Sequence, residues 1–461
     1  MQPASAYPSN NMQSYVCLFS YIPYFLLFSG IFPYHHHHHH QHQYQYHHHE
    51  AQAMQSQALG HVLVIGGCGF MGHHLVKALL DDSNVEHVSV FSRSPRENRY
   101  PEASYYAGDI TSVEEVTNLL KDIQPRIIFH AASPDPYQDP PNHLSYQKVN
   151  VEGTKNLLAC ASSAPSVVAL VYTSSLTIYK YDVNGEIFNA DESHPILNGP
   201  VTKYNPYTES KALADALVLA ANNPSSRPCH LAGKCSHSHL RTACIRIPGI
   251  YGEGDENMTM LGLQLARYGL SFLQLGDNTT LFDPIYVSNA VFGHVLAAKA
   301  LLTEVEADIA YTKDRDEDID AVPPKSRICG EAFNITDDLP SPFWFYMRKF
   351  YTAAGHPPKT IWVIPTWILF MLAWLTEYWF WIVYQGRRRP KILIRSKLEH
   401  LCMTRTYQVS KAKQKLGWYA LVDIDEAAKN SMRWGLAKLG VDVKHMGSVG
   451  NQVQNERRKA A

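Results

Sequence analysis

The sequence is short of net charge. Lysine and arginine total 41 against 42 aspartates and glutamates, so there is no polycationic field for nucleic acid, and small molecules are the expected ligands. Cysteine is also scarce. The eight residues have no regular spacing, and Cys68 sits inside a glycine-rich loop, which excludes a disulfide framework and implies reduced thiols in a cytosol-facing chain. The apolar run at residues 15–34 lacks a preceding basic residue and a small-residue cleavage site, and Pro23 interrupts it, so it is a poor signal or anchor. A polyhistidine and Gln/His/Tyr tract follows, and residues 1–57 are set aside as a low-complexity extension. The ordered pattern begins just after Met54, the expected translation start.

The remaining length is ample for a large buried core. His61 to Ile65 is an apolar, β-branched run, and Gly66-Gly67-Cys68-Gly69-Phe70-Met71-Gly72 leads from it into helical periodicity. Strand, tight turn and helix in that order suit a dinucleotide. The glycines permit close approach to a pyrophosphate, and the helix N-terminus stabilises its charge. Gly66, Gly69, Phe70, Met71 and Gly72 are therefore candidate cofactor residues.

The strand Val88-Ser89-Val90-Phe91 should end where the adenosine ribose is read, yet no carboxylate stands there. Ser92-Arg93-Ser94 follows, and a guanidinium between hydroxyls favours the 2′-phosphate of NADP over NAD. Further strands end at Gly108-Asp109-Ile110-Thr111 and His130-Ala131-Ala132-Ser133, separated by helical periodicity at residues 113–123. This alternation predicts a Rossmann-type, doubly wound parallel sheet of the α/β class. Asp109 is expected near the adenine, or alternatively as a cap for the helix after Ser112. Ile110 accompanies it, and His130, Ala131 and Ala132 are expected on the nicotinamide side.

A later strand at residues 168–172 delivers Thr173-Ser174-Ser175 to the same crevice, and a helix opens at Tyr207-Thr208-Glu209-Ser210-Lys211. Residues four apart share a helix face, so the Lys211 ammonium can favour the Tyr207 phenolate and reach the cofactor ribose. Ser175 can hydrogen-bond a substrate oxygen. Proton removal by Tyr207, with hydride passing to the nicotinamide, is the expected chemistry.

These stretches, with Asn150-Val151-Glu152-Gly153-Thr154-Lys155-Asn156, Gly249-Ile250-Tyr251-Gly252-Glu253-Gly254-Asp255 and Gly330-Glu331-Ala332-Phe333-Asn334-Ile335-Thr336, resemble the 3β-hydroxysteroid dehydrogenase and sterol-4α-carboxylate 3-dehydrogenase family, within the extended short-chain dehydrogenases. The resemblance covers residues 60–436. It implies a triad of Ser175, Tyr207 and Lys211, with Asn150 supporting a proton relay through water and Lys211. Three positions depart from the family pattern: Ser92 replaces an acidic residue, Ile247-Pro248 reverses the usual order after Arg246, and Ser288 stands where aspartate is common.

The expected organisation is a mainly NAD(P)-binding Rossmann domain over residues 58–245, a mainly substrate-binding region over 246–440, and a tail at 441–461. Residues 222–240 include Cys229, His230, Cys235, His237 and His239, but their spacing fits no common zinc module, and no metal site is expected. Residues 308–325 look like a second solvated loop. Residues 361–384 are rich in Trp, Phe, Leu and Ile, with Glu377 their only charge and Arg387-Arg388-Arg389 just beyond. Pro365 and Glu377 should interrupt this run, and catalytic-domain sequence resumes at residues 407–434. A membrane-associated helix or hairpin in one leaflet is therefore expected.

The function expected is NAD(P)-dependent oxidation of the 3β-hydroxyl of a sterol or related polycycle, with or without loss of a 4α-carboxylate. Its place is the endoplasmic reticulum membrane, with the catalytic domain facing the cytosol. Expected partners are a lipophilic small molecule and a membrane surface, not nucleic acid, and a homodimer is compatible. The rival readings are a secondary-metabolism dehydrogenase of a terpenoid hydroxyl and a catalytically silent cofactor-binding membrane protein.

Overall fold

Why the chain builds a parallel sheet is visible in the central strands, which are apolar on both faces and connected mostly through amphipathic helices. The computed structural model describes residues 57–136, 142–197, 205–222, 239–313, 327–385 and 402–441, together with Pro390, Arg395, Leu398 and Glu399. The extension at 1–56, Cys229, His230, Cys235 and His237 of the Cys/His-rich stretch where no metal site is expected, and Arg387 to Arg389 lie outside them.

Seven strands form the main sheet: β1 (Gly60–Ile65), β2 (Val85–Ser92), β3 (Ser104–Ala107), β4 (Ile127–His130), β5 (Ala169–Ser175), β6 (Arg241–Ile247) and β7 (Glu331–Asn334). Their spatial order is β7-β6-β5-β4-β1-β2-β3, with every neighbouring pair parallel. One face is covered by α1 (Phe70–Asp81), which packs Leu75, Val76 and Leu79 against Val62, Val64 and Phe129. The other face carries α2 (Val113–Ile123), α3 (Thr154–Ser163) and α4 (Pro206–Ala221), whose Val116, Leu119, Leu157 and Val218 meet Leu63, Ile128 and Leu170.

The second half of the chain adds α5 (Met258–Arg267), α6 (Val287–Lys313), α7 (Phe343–Ala353), α8 (Thr366–Tyr384) and α9 (Ile424–Lys438). Helix α6 returns to the first face of the sheet through Ala290, Leu301 and Val305. Helices α5, α7 and α9 enclose a smaller core of Met260, Leu263, Trp344, Met347, Phe350 and Met432.

Three sequence expectations need correction. Helix α6 runs on to Lys313, so the loop expected from residue 308 begins as helix. Residues 361–384 are not broken at Glu377: Trp362–Ile364 is a short strand, and Pro365 precedes one continuous α8. Proline fits there because the first helical turn has no partner for an N–H that proline lacks. The Glu377 carboxylate is satisfied in place by the Arg395 backbone N–H at 2.8 Å and its Nε at 2.7 Å. Finally, Asp109 does not cap α2. Ser112 does, accepting from the Glu115 N–H at 3.3 Å.

Candidate active site

The ends of β1, β4 and β5 stand side by side, with Ile65 paired to His130 and His130 to Tyr172. Ligands of open α/β sheets bind outside these carboxyl ends. The glycine loop turns there. Gly66 has φ +84°, and a Cβ on it would lie 2.7 Å from the Ala132 backbone. A Cβ on Gly72 would meet the Gly66 carbonyl. The loop is thus pulled down onto the sheet, and α1 starts at its lip with Gly69 as N-cap, no side-chain cap and no acid in its first turn. Bare N–H groups at a helix start, free of competing carboxylates, fit a pyrophosphate.

Phe70 leads away from this lip towards the second half of the chain. Gly254 has φ +103°, and a Cβ on it would sit 2.8 Å from the Phe70 ring. One turn further on, His74 Nε2 donates to the Glu253 carbonyl at 2.6 Å. Met71 is buried in the core under the loop. Where the sequence leads one to expect the adenosine, β2 extends to Ser92, followed by exposed Arg93. The Asp109 carboxylate accepts the Thr111 N–H at 2.9 Å, and its pKa is lowered, with the Lys148 and Arg93 charges contributing against its partial burial. Ile110 is buried and packs on Gly153, where a Cβ would come within 2.8 Å of it.

Helix α4 brings in the Tyr207 and Lys211 pair. Asn205 caps it, accepting the Tyr207 N–H at 3.0 Å, and Pro206 opens its first turn. The Tyr207 ring is half-buried, edge-on to Tyr146 with centroids 5.7 Å apart. Lys211 is only 2 % exposed. Its Nζ donates to the Tyr172 hydroxyl at 3.0 Å and the Thr173 carbonyl at 2.6 Å, and it lies 4.5 Å from the Tyr172 ring centre. Burial lowers the lysine pKa to about 7, with the Asp215 carboxylate pulling the other way. The same burial holds His130 neutral, its pKa near 3, and the Lys211 charge adds to that effect. His130 Nε2 is 2.9 Å from the Thr154 hydroxyl.

Ser175 ends β5 and is nearly buried. Its Oγ accepts the Thr177 N–H at 3.3 Å and lies 2.9 Å from Thr177 Oγ1. Asn150 enters on a π-helical stretch, Gln147–Gly153, and is 1 % exposed. Its Nδ2 donates to Ser210 Oγ at 2.9 Å, and Ser210 Oγ in turn donates to the Tyr207 carbonyl at 2.7 Å. Asn150 therefore reaches the tyrosine helix through Ser210. Its own carbonyl oxygen carries no protein hydrogen bond.

Sequence reasoning missed Tyr172, Ser210 and also His294, whose Nε2 lies 2.9 Å from the Thr173 hydroxyl, because strand alternation and helix spacing do not reveal partners far apart in the chain. It also missed the anchor of α4. Asp215 takes Arg246 Nη2 at 2.7 Å and Nε at 3.1 Å, both side chains buried, and Arg246 Nη1 donates to the Tyr179 hydroxyl at 3.0 Å. One turn separates Asp215 from Lys211, so this ion pair fixes the helix face that carries the lysine.

Sheet order, the glycine cradle and a lysine buried beside the end of β5 define the class, a Rossmann-type fold of the short-chain dehydrogenase kind. Residues 63–366 match the model of the 3-beta hydroxysteroid dehydrogenase/isomerase family. The chain belongs to that family. It is 31 % identical over 384 residues to a sterol-4-alpha-carboxylate 3-dehydrogenase, decarboxylating, of Saccharomyces cerevisiae, covering 81 % of this chain and 97 % of the relative. A 3beta-hydroxysteroid-dehydrogenase/decarboxylase of Arabidopsis thaliana is 30 % identical over 383 residues, 80 % of this chain and 78 % of that one. Among solved structures, UDP-glucuronic acid 4-epimerase from Bacillus cereus, in complex with NAD, shares the fold at TM-score 0.54 and 17 % identity, covering 82 % of this chain and 99 % of its own.

Proposed function

We propose that this protein oxidises the 3β-hydroxyl of a sterol 4α-carboxylate to the ketone with a nicotinamide dinucleotide, in sterol biosynthesis, and that decarboxylation follows. The observation that carries the reading is the buried Lys211, held one helical turn from Tyr207 at the strand ends that also form the glycine cradle. The bound nicotinamide supplies the hydride acceptor. Tyr207 takes the hydroxyl proton, Lys211 stabilises the phenolate, Ser175 orients the substrate oxygen, and Asn150 holds the start of α4 through Ser210. The product is a β-keto acid, which loses carbon dioxide through its enol without a further protein base.

Three finer assignments belong to the same reading. NADP is favoured over NAD, on the support of Arg93 and the lack of a carboxylate at the end of β2. The substrate is lipophilic and is met at the cytosolic face of the endoplasmic reticulum membrane. Helix α8 supports this, since its 19 residues expose Trp367, Trp374, Trp379 and Trp381 at 50–65 % and bury little besides Leu369 and Ala373. Its length, about 28 Å, would be enough to span a bilayer, and it is the return of the chain to the catalytic unit as α9 that supports an element lying in one leaflet.

The test is incubation of the purified protein with a 4α-carboxysterol and each nicotinamide cofactor, with the ketone and carbon dioxide identified. Wild type should form both, and Tyr207→Phe should be slower by about 10³-fold. Equal rates in the two proteins would overturn the mechanism. Turnover of other terpenoid alcohols, with none of the carboxysterol, would overturn the substrate.

A further inference from the structure

We infer that Tyr172, together with a Thr173 locked by His294, forms a cradle that positions the Lys211 ammonium and keeps its proton on the lysine; the inference rests on the proposed role of Lys211. The geometry is specific. Tyr172 is wholly buried, and its hydroxyl oxygen meets the ammonium at 3.0 Å, with the ring centre 4.5 Å away. A phenol oxygen that accepts from the lysine favours the charged form. Burial raises the Tyr172 pKa well above its ordinary value. It therefore stays a neutral acceptor and does not compete with Tyr207 as a base.

The second wall of the cradle is the Thr173 carbonyl, 2.6 Å from Nζ. The hydroxyl of the same residue lies 2.9 Å from His294 Nε2, and His294 Nδ1 lies 2.7 Å from the Ala290 carbonyl. A carbonyl can only accept, so Nδ1 carries the proton and Nε2 accepts from the threonine. Burial lowers the His294 pKa to about 4, with the Lys211 charge contributing, so this tautomer is fixed. Helix α6 thereby grips the end of β5 and sets where the carbonyl points. The remaining charged or titratable groups facing Lys211 are Asp215 on its own helix, Cys244 on β6 and His130 on β4, while Tyr207 faces Tyr172. Asp215 is already committed to Arg246.

In the reactive state Tyr207 and Lys211 share one proton. It sits either on the lysine, leaving a phenolate, or on the phenol, leaving a neutral amine. Acceptors around Nζ favour the first distribution, so removing one makes Lys211 the stronger acid and depletes phenolate without altering the tyrosine. At acid pH, where the resting enzyme holds both protons, the rate depends on the tyrosine alone and is unchanged. At higher pH the plateau falls, and the acid limb moves to lower pH by the same factor. A side chain that merely supports packing would lower the whole profile in parallel.

The experiment is the pH profile of kcat/KM for the 4α-carboxysterol at saturating dinucleotide, for wild type, Tyr172→Phe, Thr173→Val, Thr173→Ser and Lys211→Met. Tyr172→Phe keeps the ring and should lower the plateau about tenfold, with a shift of about one pH unit in the acid limb. Thr173→Val should do the same to a smaller degree, and Thr173→Ser should restore the wild-type profile. An unchanged or uniformly lowered profile in Tyr172→Phe overturns the inference. If that variant yields no folded protein, the contrast between Thr173→Val and Thr173→Ser decides, and identical profiles for the two overturn it. Lys211→Met separates the levels: wild-type turnover there removes the role of Lys211 itself, whereas an inactive Lys211→Met beside an unshifted Tyr172→Phe removes only the cradle.

Discussion

The lysine pocket and helix α8 break opposite rules of protein partitioning. Around Lys211 the protein buries charge: one ammonium at 2 % exposure and, one turn away, an arginine and an aspartate in a closed pair. Along α8 it exposes what is usually hidden, with four tryptophans at half exposure or more. Buried charge without pairing costs several kcal/mol, and large exposed apolar faces are rare on monomers. Each departure lowers stability in water, and each is understandable through what the protein handles. In the proposed function, the first accommodates a proton to be moved and the second a surface or substrate that is itself apolar.

The contrast can be attacked from either side. The largest effect should come from Asp215→Asn, which leaves Arg246 buried and uncompensated, and a loss of ~3–5 kcal/mol in urea unfolding is expected. A loss below ~1 kcal/mol would mean that water reaches the pair and the pocket is less closed than its geometry implies. Lys211→Met should go the other way. The folded-state pKa of Lys211 is lowered to about 7, so between there and the unfolded value near ~10 the unfolded chain binds more protons and stability rises with pH. Below that window the buried ammonium is a full penalty. The methionine variant should therefore be more stable than wild type at pH 6 by roughly 1–3 kcal/mol, with the gap closing towards pH ~10. Chemical denaturation at several pH values reads this directly, and a pH-independent difference would argue against desolvation as the cause.

The smallest effect on folding, within ~0.5 kcal/mol, is expected from replacing Trp374 and Trp381 by serine, because both side chains face away from the core. Co-sedimentation with phosphatidylcholine vesicles should nevertheless fall about tenfold or more, from the apolar area withdrawn. Unchanged sedimentation would overturn the membrane role proposed for α8.

Much of this was legible in the sequence, for identifiable reasons. The glycine cradle and the spacing of Tyr207 and Lys211 are local, and local geometry follows from chain order. The sheet followed from the alternation of apolar runs with helical periodicity. What escaped was set by partners distant in sequence. Glu377 reads as a helix breaker in an apolar run until Arg395 is placed beside it. The π-helical stretch that carries Asn150 has no signature of its own, and forms where Gly153 lets Ile110 come close. Nothing in Tyr172 marks it as a lysine ligand, because only the fold brings α4 across β5.

The seventh strand of the sheet has a consequence for the life of the protein before it is complete. Strand β6, buried along its whole length, ends at Ile247, yet its outer neighbour β7 is not encoded until Glu331–Asn334. During synthesis the stretch between them must leave the ribosome while β6 presents an unpaired apolar edge. Such an edge is a template for pairing with other chains. Nascent chains stopped between these strands should therefore be the species that need a chaperone, and truncations before Asn334 should aggregate even though the glycine cradle, Tyr207 and Lys211 are all present in them.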